Sequence, residues 1–120
     1  GSVPCGVPLL AIENIEARIP VSRSLVGNAE DFFILRARGD SMNLAGINDG
    51  NLLLVKKQPS ADEGERVVAL INDEATAKVL HFGEDAAVLM PKSSNSLHKP
   101  IIVGEDFTIQ GVIKAVVPQG

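Results

Sequence analysis

Most of the chain consists of short apolar runs separated by turn residues, which is the pattern of a β-rich domain. The runs cover residues 15–19, 32–38, 52–56, 66–71, 75–82, 86–90, 101–103 and 107–117. Gly, Pro, Asn and Asp lie between them, as they do at strand ends and turns. Short strands at this spacing predict an all-β domain, either barrel-like or built from several sheets. The pattern allows only one short turn of helix, within residues 22–31.

Two turns are predicted with a specific geometry. Asp49-Gly50 precedes the apolar run at 52–56, and an Asp-Gly pair favours positive φ. The polar residues 72–74 separate two apolar runs, at 66–71 and 75–82. We therefore expect a β-hairpin in this part of the chain.

Composition excludes several classes of protein. The 120 residues are 45% hydrophobic, which suits one globular domain with its own core. The net charge is −4, and Phe, Tyr and Trp are represented by four Phe alone. We therefore do not expect this chain to bind nucleic acid by itself. No apolar run approaches the roughly 18–20 residues that span a bilayer, so no membrane contact is expected. The single cysteine cannot form an internal disulfide, which favours a reducing, cytoplasmic setting.

Ser41 is a candidate nucleophile. It lies in the sequence Gly-Asp-Ser-Met at 39–42, directly after an apolar run. A glycine there permits a tight loop at the sheet margin, and the backbone N–H groups of Asp40 and Ser41 could face a developing oxyanion. The alternative is a turn serine that hydrogen-bonds its own loop.

Lys78 is a candidate base, because it interrupts a second apolar run. In a strand it shares a face with Thr76 and Leu80, and both faces of that strand are apolar or small. Burial lowers the pKa of a lysine, and a fall from about 10.4 to about 7 costs about 4 kcal/mol. A neutral amine could then take a proton from Ser41. The alternative is an edge-strand lysine whose ammonium reaches water.

The other reactive side chains offer less. His81 and His98 are isolated in the sequence, without Asp or Cys at metal-ligand spacing, so neither a metal site nor a cofactor is predicted. Nothing close to Cys5 in the sequence would lower its pKa, which makes it an ordinary thiol.

Taken in order, four segments resemble the self-cleaving repressors of the LexA family and their relatives, UmuD and the phage repressors. Residues 4–11 look like the cleavage segment, with Cys5-Gly6 where the family has a small residue before Gly. Residues 35–42 look like the nucleophile segment. Residues 46–53 (Gly-Ile-Asn-Asp-Gly-Asn-Leu-Leu) and 74–80 (Glu-Ala-Thr-Ala-Lys-Val-Leu) look like two further family motifs. The tail at 107–113 fits as well, so the resemblance covers nearly the whole chain.

The resemblance implies a fold, a site and a division of the chain. The fold is the all-β LexA and signal-peptidase type, with several coiled sheets and a barrel-like core. Ser41 is the nucleophile and Lys78 the general base of a serine autopeptidase that cuts its own Cys5-Gly6 bond. Residues 1–2 look like an expression remnant, residues 3–14 carry the cleavage site, and residues 15–120 form the autopeptidase and dimerisation domain. We expect a DNA-binding domain upstream of this chain.

By the same resemblance, the chain is part of a transcriptional repressor of the DNA-damage response. Its partners would be operator DNA through the upstream domain, a second copy of itself, and the RecA–single-stranded DNA filament, which stimulates cleavage. The strand at 107–117, rich in Val and Ile, is the expected dimer edge. Two alternatives stay open: a UmuD-like accessory protein of a translesion polymerase, and a non-catalytic β module for dimerisation.

The sequence departs from the family pattern at two positions. Pro4 stands directly before Cys5, and Ala77 replaces the commoner valine. Proline lacks an N–H, so a cleavage segment that docks by strand pairing loses one hydrogen bond there. We expect slower cleavage as a result.

Overall fold

The computed structural model describes residues 2–4, 9–10, 31–72, 74–104 and 107–117. The described part confirms the predicted all-β class, with a 3-10 helix at Asn43–Ala45 as a short helical element. The strands are β1 (Ser2–Pro4), β2 (Leu9–Leu10), β3 (Phe32–Arg38), β4 (Leu52–Lys57), β5 (Arg66–Ile71), β6 (Glu74–Phe82), β7 (Ala87–Met90), β8 (Ile101–Ile102) and β9 (Phe107–Val117). The predicted strand at 15–19 lies outside the described residues, as does the helical turn at 22–31 apart from Asp31.

These strands join in one hydrogen-bonded path with the order β1-β3-β4-β9-β5-β6-β7-β8, and β2 pairs with β6 beside it. β1 runs parallel to β3, and the other pairs are antiparallel. The predicted hairpin is confirmed, because Ile71 pairs with Glu74 and Asn72 between them takes a positive φ of 51°. β1 lies at the end of the path, and Pro4 on it fits the rule that proline occupies edge strands.

β9 bends the sheet. Its register against β4 skips Lys114, and its register against β5 skips Gln110, so the strand carries one extra residue toward each neighbour. Such bulges increase the local twist and bend the strand. Gly111 lies between them, where an added Cβ would meet Lys56 O at 2.3 Å. The sheet therefore curves around two main hydrophobic clusters instead of lying flat.

Alternate residues of β6 face different clusters, as the two-residue period of a strand requires. Ala75, Ala77 and Val79 belong to the larger cluster, together with Met42 and Leu53. Leu80, on the other face, belongs to the second cluster. Thr76 and Lys78 share the face of Leu80, so the lysine stands on a strand that is covered on both sides.

One edge of β6 is paired in two separate pieces. β5 occupies one side from Glu74 to Val79. On the other side β2 pairs at Glu74 and Ala75, and β7 pairs from Val79 onward. Among the described strands, none pairs with that side at residues 76–78. The gap in strand pairing therefore falls at the residues that lead up to and include Lys78.

Candidate active site

The predicted nucleophile lies in a tight loop after β3. Gly39 adopts a φ of 89°, which an L side chain rarely takes, and its N–H donates to Asp49 Oδ1 at 2.8 Å. The loop then turns inward, so that Ser41 and Met42 are both fully buried. Met42 packs in the larger hydrophobic cluster and anchors the chain beyond the serine. The loop is thus held on each side of Ser41.

The predicted base is buried against this loop. Lys78 is only 2% exposed, so its ammonium does not reach water as the alternative interpretation required. Its Nζ lies 3.1 Å from Ser41 Oγ. It also donates to Thr76 Oγ1 at 2.8 Å and to Ala77 O at 3.2 Å. The structure therefore brings together the two residues that the sequence singled out, across 37 positions.

Thr76 is a site residue that the sequence reasoning did not assign. Its side chain is fully buried and lies two positions before Lys78 on the same face of β6. The two-residue strand period was the available signal, because it places the two side chains next to each other. Its hydroxyl contact directs Nζ, since a flexible four-carbon stem has no preferred end point of its own.

The segment at 92–98, between β7 and β8, lies against the nucleophile loop. Lys92 N donates to Ser41 O at 2.8 Å, and Ser93 Oγ donates to Asp40 O at 2.7 Å. The Asp40 carboxylate accepts Asn95 Nδ2 at 3.2 Å and pairs with His98 Nε2. The hydrogen bond from His98, followed by that from Asn95, holds the pKa of Asp40 below its ordinary value.

The two histidines, which are isolated in the sequence, each pair with a carboxylate in the fold. His98 pairs with Asp40, and His81 pairs with Glu63. No local pattern could reveal either contact, because the partners are 58 and 18 positions apart. Within the described ranges, no three His, Cys, Asp or Glu side chains gather in a way that could hold a metal ion.

The predicted cleavage site, Cys5-Gly6, lies outside the described residues. The strands on each side of it are described. β1 runs along β3 and ends with Pro4 opposite Arg38, three positions before Ser41. β2 begins with Leu9 opposite Ala75, three positions before Lys78. The sequence reasoning did not predict either strand.

The described part is therefore an all-β domain with a buried serine hydroxyl beside a buried lysine amine, the parts of a serine–amine nucleophile pair. Comparison with known proteins agrees with this class. The Peptidase S24-like family model matches residues 1–114, and the chain belongs to that family.

Curated relatives give the same result. The chain is 47% identical to the LexA repressor of Caldicellulosiruptor saccharolyticus over 113 residues, which are 94% of the chain and 54% of the relative. It is 42% identical to the LexA repressor of Acetivibrio thermocellus over 116 residues, 97% of the chain and 53% of the relative. The chain thus spans about half the length of these relatives. The resemblance to the LexA-like self-cleaving family, inferred from four motifs, is confirmed. No helix in the described ranges is long and apolar enough to cross a membrane.

Proposed function

We propose that this chain is the self-cleaving serine peptidase domain of a LexA-like repressor, with Ser41 as nucleophile and Lys78 as general base. The observation that carries the proposal is the distance of 3.1 Å between Lys78 Nζ and Ser41 Oγ, both on buried side chains. It lies within the reach that a general base needs to its nucleophile.

Burial prepares Lys78 for this role. An ammonium loses its hydration in the interior, which favours the neutral amine. A neutral amine has two N–H bonds and one lone pair, and Thr76 Oγ1 and Ala77 O are placed to accept the two N–H bonds. The lone pair is then directed toward the Ser41 hydroxyl.

The proposed reaction proceeds through an ester. Lys78 Nζ takes the proton of Ser41 as Oγ attacks the carbonyl carbon of Cys5. The bond between Cys5 and Gly6 then breaks, and Nζ returns the proton to the departing amine of Gly6. Water next hydrolyses the ester between Ser41 and Cys5, with Nζ again taking the proton of the attacking oxygen and Ser41 Oγ leaving as a hydroxyl.

The flanking strands support delivery of this bond to the dyad. Four residues separate Pro4 on β1 from Leu9 on β2, and a link of that length spans at most roughly 18 Å. One end of the link is tied to the strand that leads into the Ser41 loop, and the other to the strand that carries Lys78. These two attachments support the proposal that the Cys5-Gly6 bond is presented to the dyad at a high effective concentration.

Backbone geometry supports the predicted oxyanion site at Ser41. In a trans peptide the C=O and the following N–H point in opposite directions. Because Asp40 O accepts Ser93 Oγ, the N–H of Ser41 points away from residue 93. It is therefore available to a developing oxyanion instead of to the segment at 92–98. The part played by the N–H of Asp40 stays a prediction.

The repressor role rests on the relatives, which are named LexA repressors. We propose that a DNA-binding domain upstream holds operator DNA, that the chain dimerises, and that a RecA–single-stranded DNA filament stimulates cleavage. Cleavage would separate the DNA-binding domain from the dimerisation domain. The affinity for operator DNA would then fall, because two linked DNA-binding domains bind through a high effective concentration.

The proposed dimer edge is narrower than the sequence suggested. β9 lies between β4 and β5, so the whole of 107–117 cannot be an open edge. The pairing with β5 ends at Val112, whereas the pairing with β4 continues to Val117. Among the described strands, Ile113–Val117 is therefore paired on one side only, and this half of β9 is the proposed dimer edge.

Incubation of this chain at pH 9–10 tests the proposal. Intact-mass spectrometry should show loss of residues 1–5 from the wild type and no loss from Ser41→Ala or Lys78→Ala. If all three chains stay intact, the peptidase proposal fails and a non-catalytic β module is favoured. A UmuD-like accessory protein shares the dyad, and only the upstream sequence separates it from a repressor: a DNA-binding domain there supports the repressor, and a short arm excludes it.

A further inference from the structure

We propose that His98 is a positioning residue for Ser41, acting through the Asp40 carboxylate. This inference rests on the proposed function of the Ser41–Lys78 pair. His98 lies in the segment 92–98, which we call the bracing segment, and it does not touch the dyad itself. Its effect would pass through one peptide unit, since Asp40 directly precedes the nucleophile.

The bracing segment is fastened to the nucleophile loop on both sides of Ser41. On the upstream side Ser93 Oγ donates to Asp40 O at 2.7 Å. On the downstream side Leu44 N donates to Lys92 O at 2.8 Å, and Ser94 N donates to Asn43 Oδ1 at 3.0 Å. These contacts connect two loops that are about 50 positions apart in the chain.

Asp40 is the point at which side chains of the bracing segment converge. Its Oδ1 pairs with His98 Nε2, and its Oδ2 accepts Asn95 Nδ2. The Asn95 side chain is itself fixed within a local turn, because its Oδ1 accepts a hydrogen bond from Leu97 N at 3.0 Å. The His98 side chain is only 20% exposed, whereas that of Asp40 is 52% exposed. The carboxylate is thus clamped by two donors of restricted freedom.

The position of Asp40 separates this pair from an ordinary surface ion pair. Rotation of the Asp40 backbone would turn the peptide that carries the Ser41 N–H and would displace Oγ from Lys78 Nζ. A misplacement of about 1 Å at a reacting group can cost about 100-fold in rate. His81 and Glu63 form a comparable exposed pair elsewhere, so the chain supplies its own control.

The decisive experiment compares self-cleavage of this chain with that of three variants over pH 7–10, with intact mass as the readout. His98→Ala removes the donor, His98→Gln keeps an N–H donor, and His81→Ala removes the control histidine. We expect the limiting rate of His98→Ala to fall about 10- to 100-fold. The His98→Gln rate should recover most of that loss, and His81→Ala should cleave like the wild type. The midpoint of each pH profile should stay close to that of the wild type, because Lys78 remains buried and keeps its contacts with Thr76 Oγ1 and Ala77 O.

Amide hydrogen exchange provides a second arm that does not need cleavage. In His98→Ala, the amides of residues 40–43 should exchange faster while those of β5 and β9 exchange as in the wild type. A wild-type rate and wild-type exchange in His98→Ala would overturn the positioning role, as would an equal loss of rate in His81→Ala. If the wild type does not cleave at all, the proposed function fails, and the exchange arm alone decides the positioning of the loop.

Discussion

The pH dependence of self-cleavage is the most direct consequence of a lysine base. Lys78 is 2% exposed and lies 3.1 Å from Ser41 Oγ, so only its neutral form can take the serine proton. Below the pKa of the amine, the neutral fraction rises tenfold with each pH unit. We therefore expect the cleavage rate to rise about tenfold per pH unit until the pKa of Lys78 is reached, and then to level off.

Lys78→Met isolates this effect. Methionine is unbranched and of similar shape, so it can occupy the buried channel of the lysine stem. It removes the hydrogen bonds that Nζ donates to Thr76 Oγ1 and Ala77 O, and this loss is offset by the removal of a buried ionisable amine. The fold should therefore survive, whereas the rate should fall about 100- to 10,000-fold, the usual contribution of a general base.

The assay follows intact mass from pH 6 to 10, with thermal unfolding at each pH to confirm the fold. Lys57→Met, on the exposed end of β4, is the matched control and should keep the wild-type profile. A wild-type rate that stays flat across this range would refute Lys78 as the base. If the cleavage rate of Lys78→Met still rises with pH, Lys78 is refuted as well, because the titrating group must then be another residue.

Two further predictions concern the scaffold. Gly111→Ala would place a Cβ 2.3 Å from Lys56 O, a backbone atom that cannot turn aside, so β4 and β9 must separate at a cost of about 1–3 kcal/mol; Gly104→Ala, which meets nothing within 4 Å, is the control, and equal melting temperatures would contradict the close approach. The pKa of Glu63 is held below its ordinary value, chiefly because the carboxylate accepts Phe82 N–H at 2.7 Å and also because it pairs with His81. A lowered carboxyl pKa stabilises the fold above the unfolded pKa, and this stability is lost as pH falls through the folded pKa. Glu63→Gln should therefore melt below the wild type at pH 7, and the difference in melting temperature should shrink as pH falls through the lowered pKa of Glu63; a difference that is constant with pH would show that the charge of Glu63 is not involved.

The strands that the sequence predicted best are those whose signal is local. β3, β5 and β9 have the predicted bounds, because each is a mostly apolar run closed by Gly, Asn or Pro. The glycine turns were also predicted from a local signal, and Gly39 and Gly50 both take the expected positive φ. β1 and β2 were missed because two or three residues carry no detectable period, and they pair only with strands far along the chain.

For the candidate site too, local sequence patterns predicted some features, while others depend on contacts between distant parts of the chain. The sequence by itself determined which residue types were available, a serine after a glycine turn and a lysine in an apolar strand, and their order matched a family. It could not determine that Lys78 is buried, because the same alternation suits a lysine at a wet edge. Burial depends on what covers the strand, and here Lys78 is covered by the Ser41 loop, which lies 37 positions earlier in the chain. Asp40 and His98 are 58 positions apart, and no periodicity reaches that distance. Only the bend of β9 and the path of the strands decided which polar groups meet around Ser41.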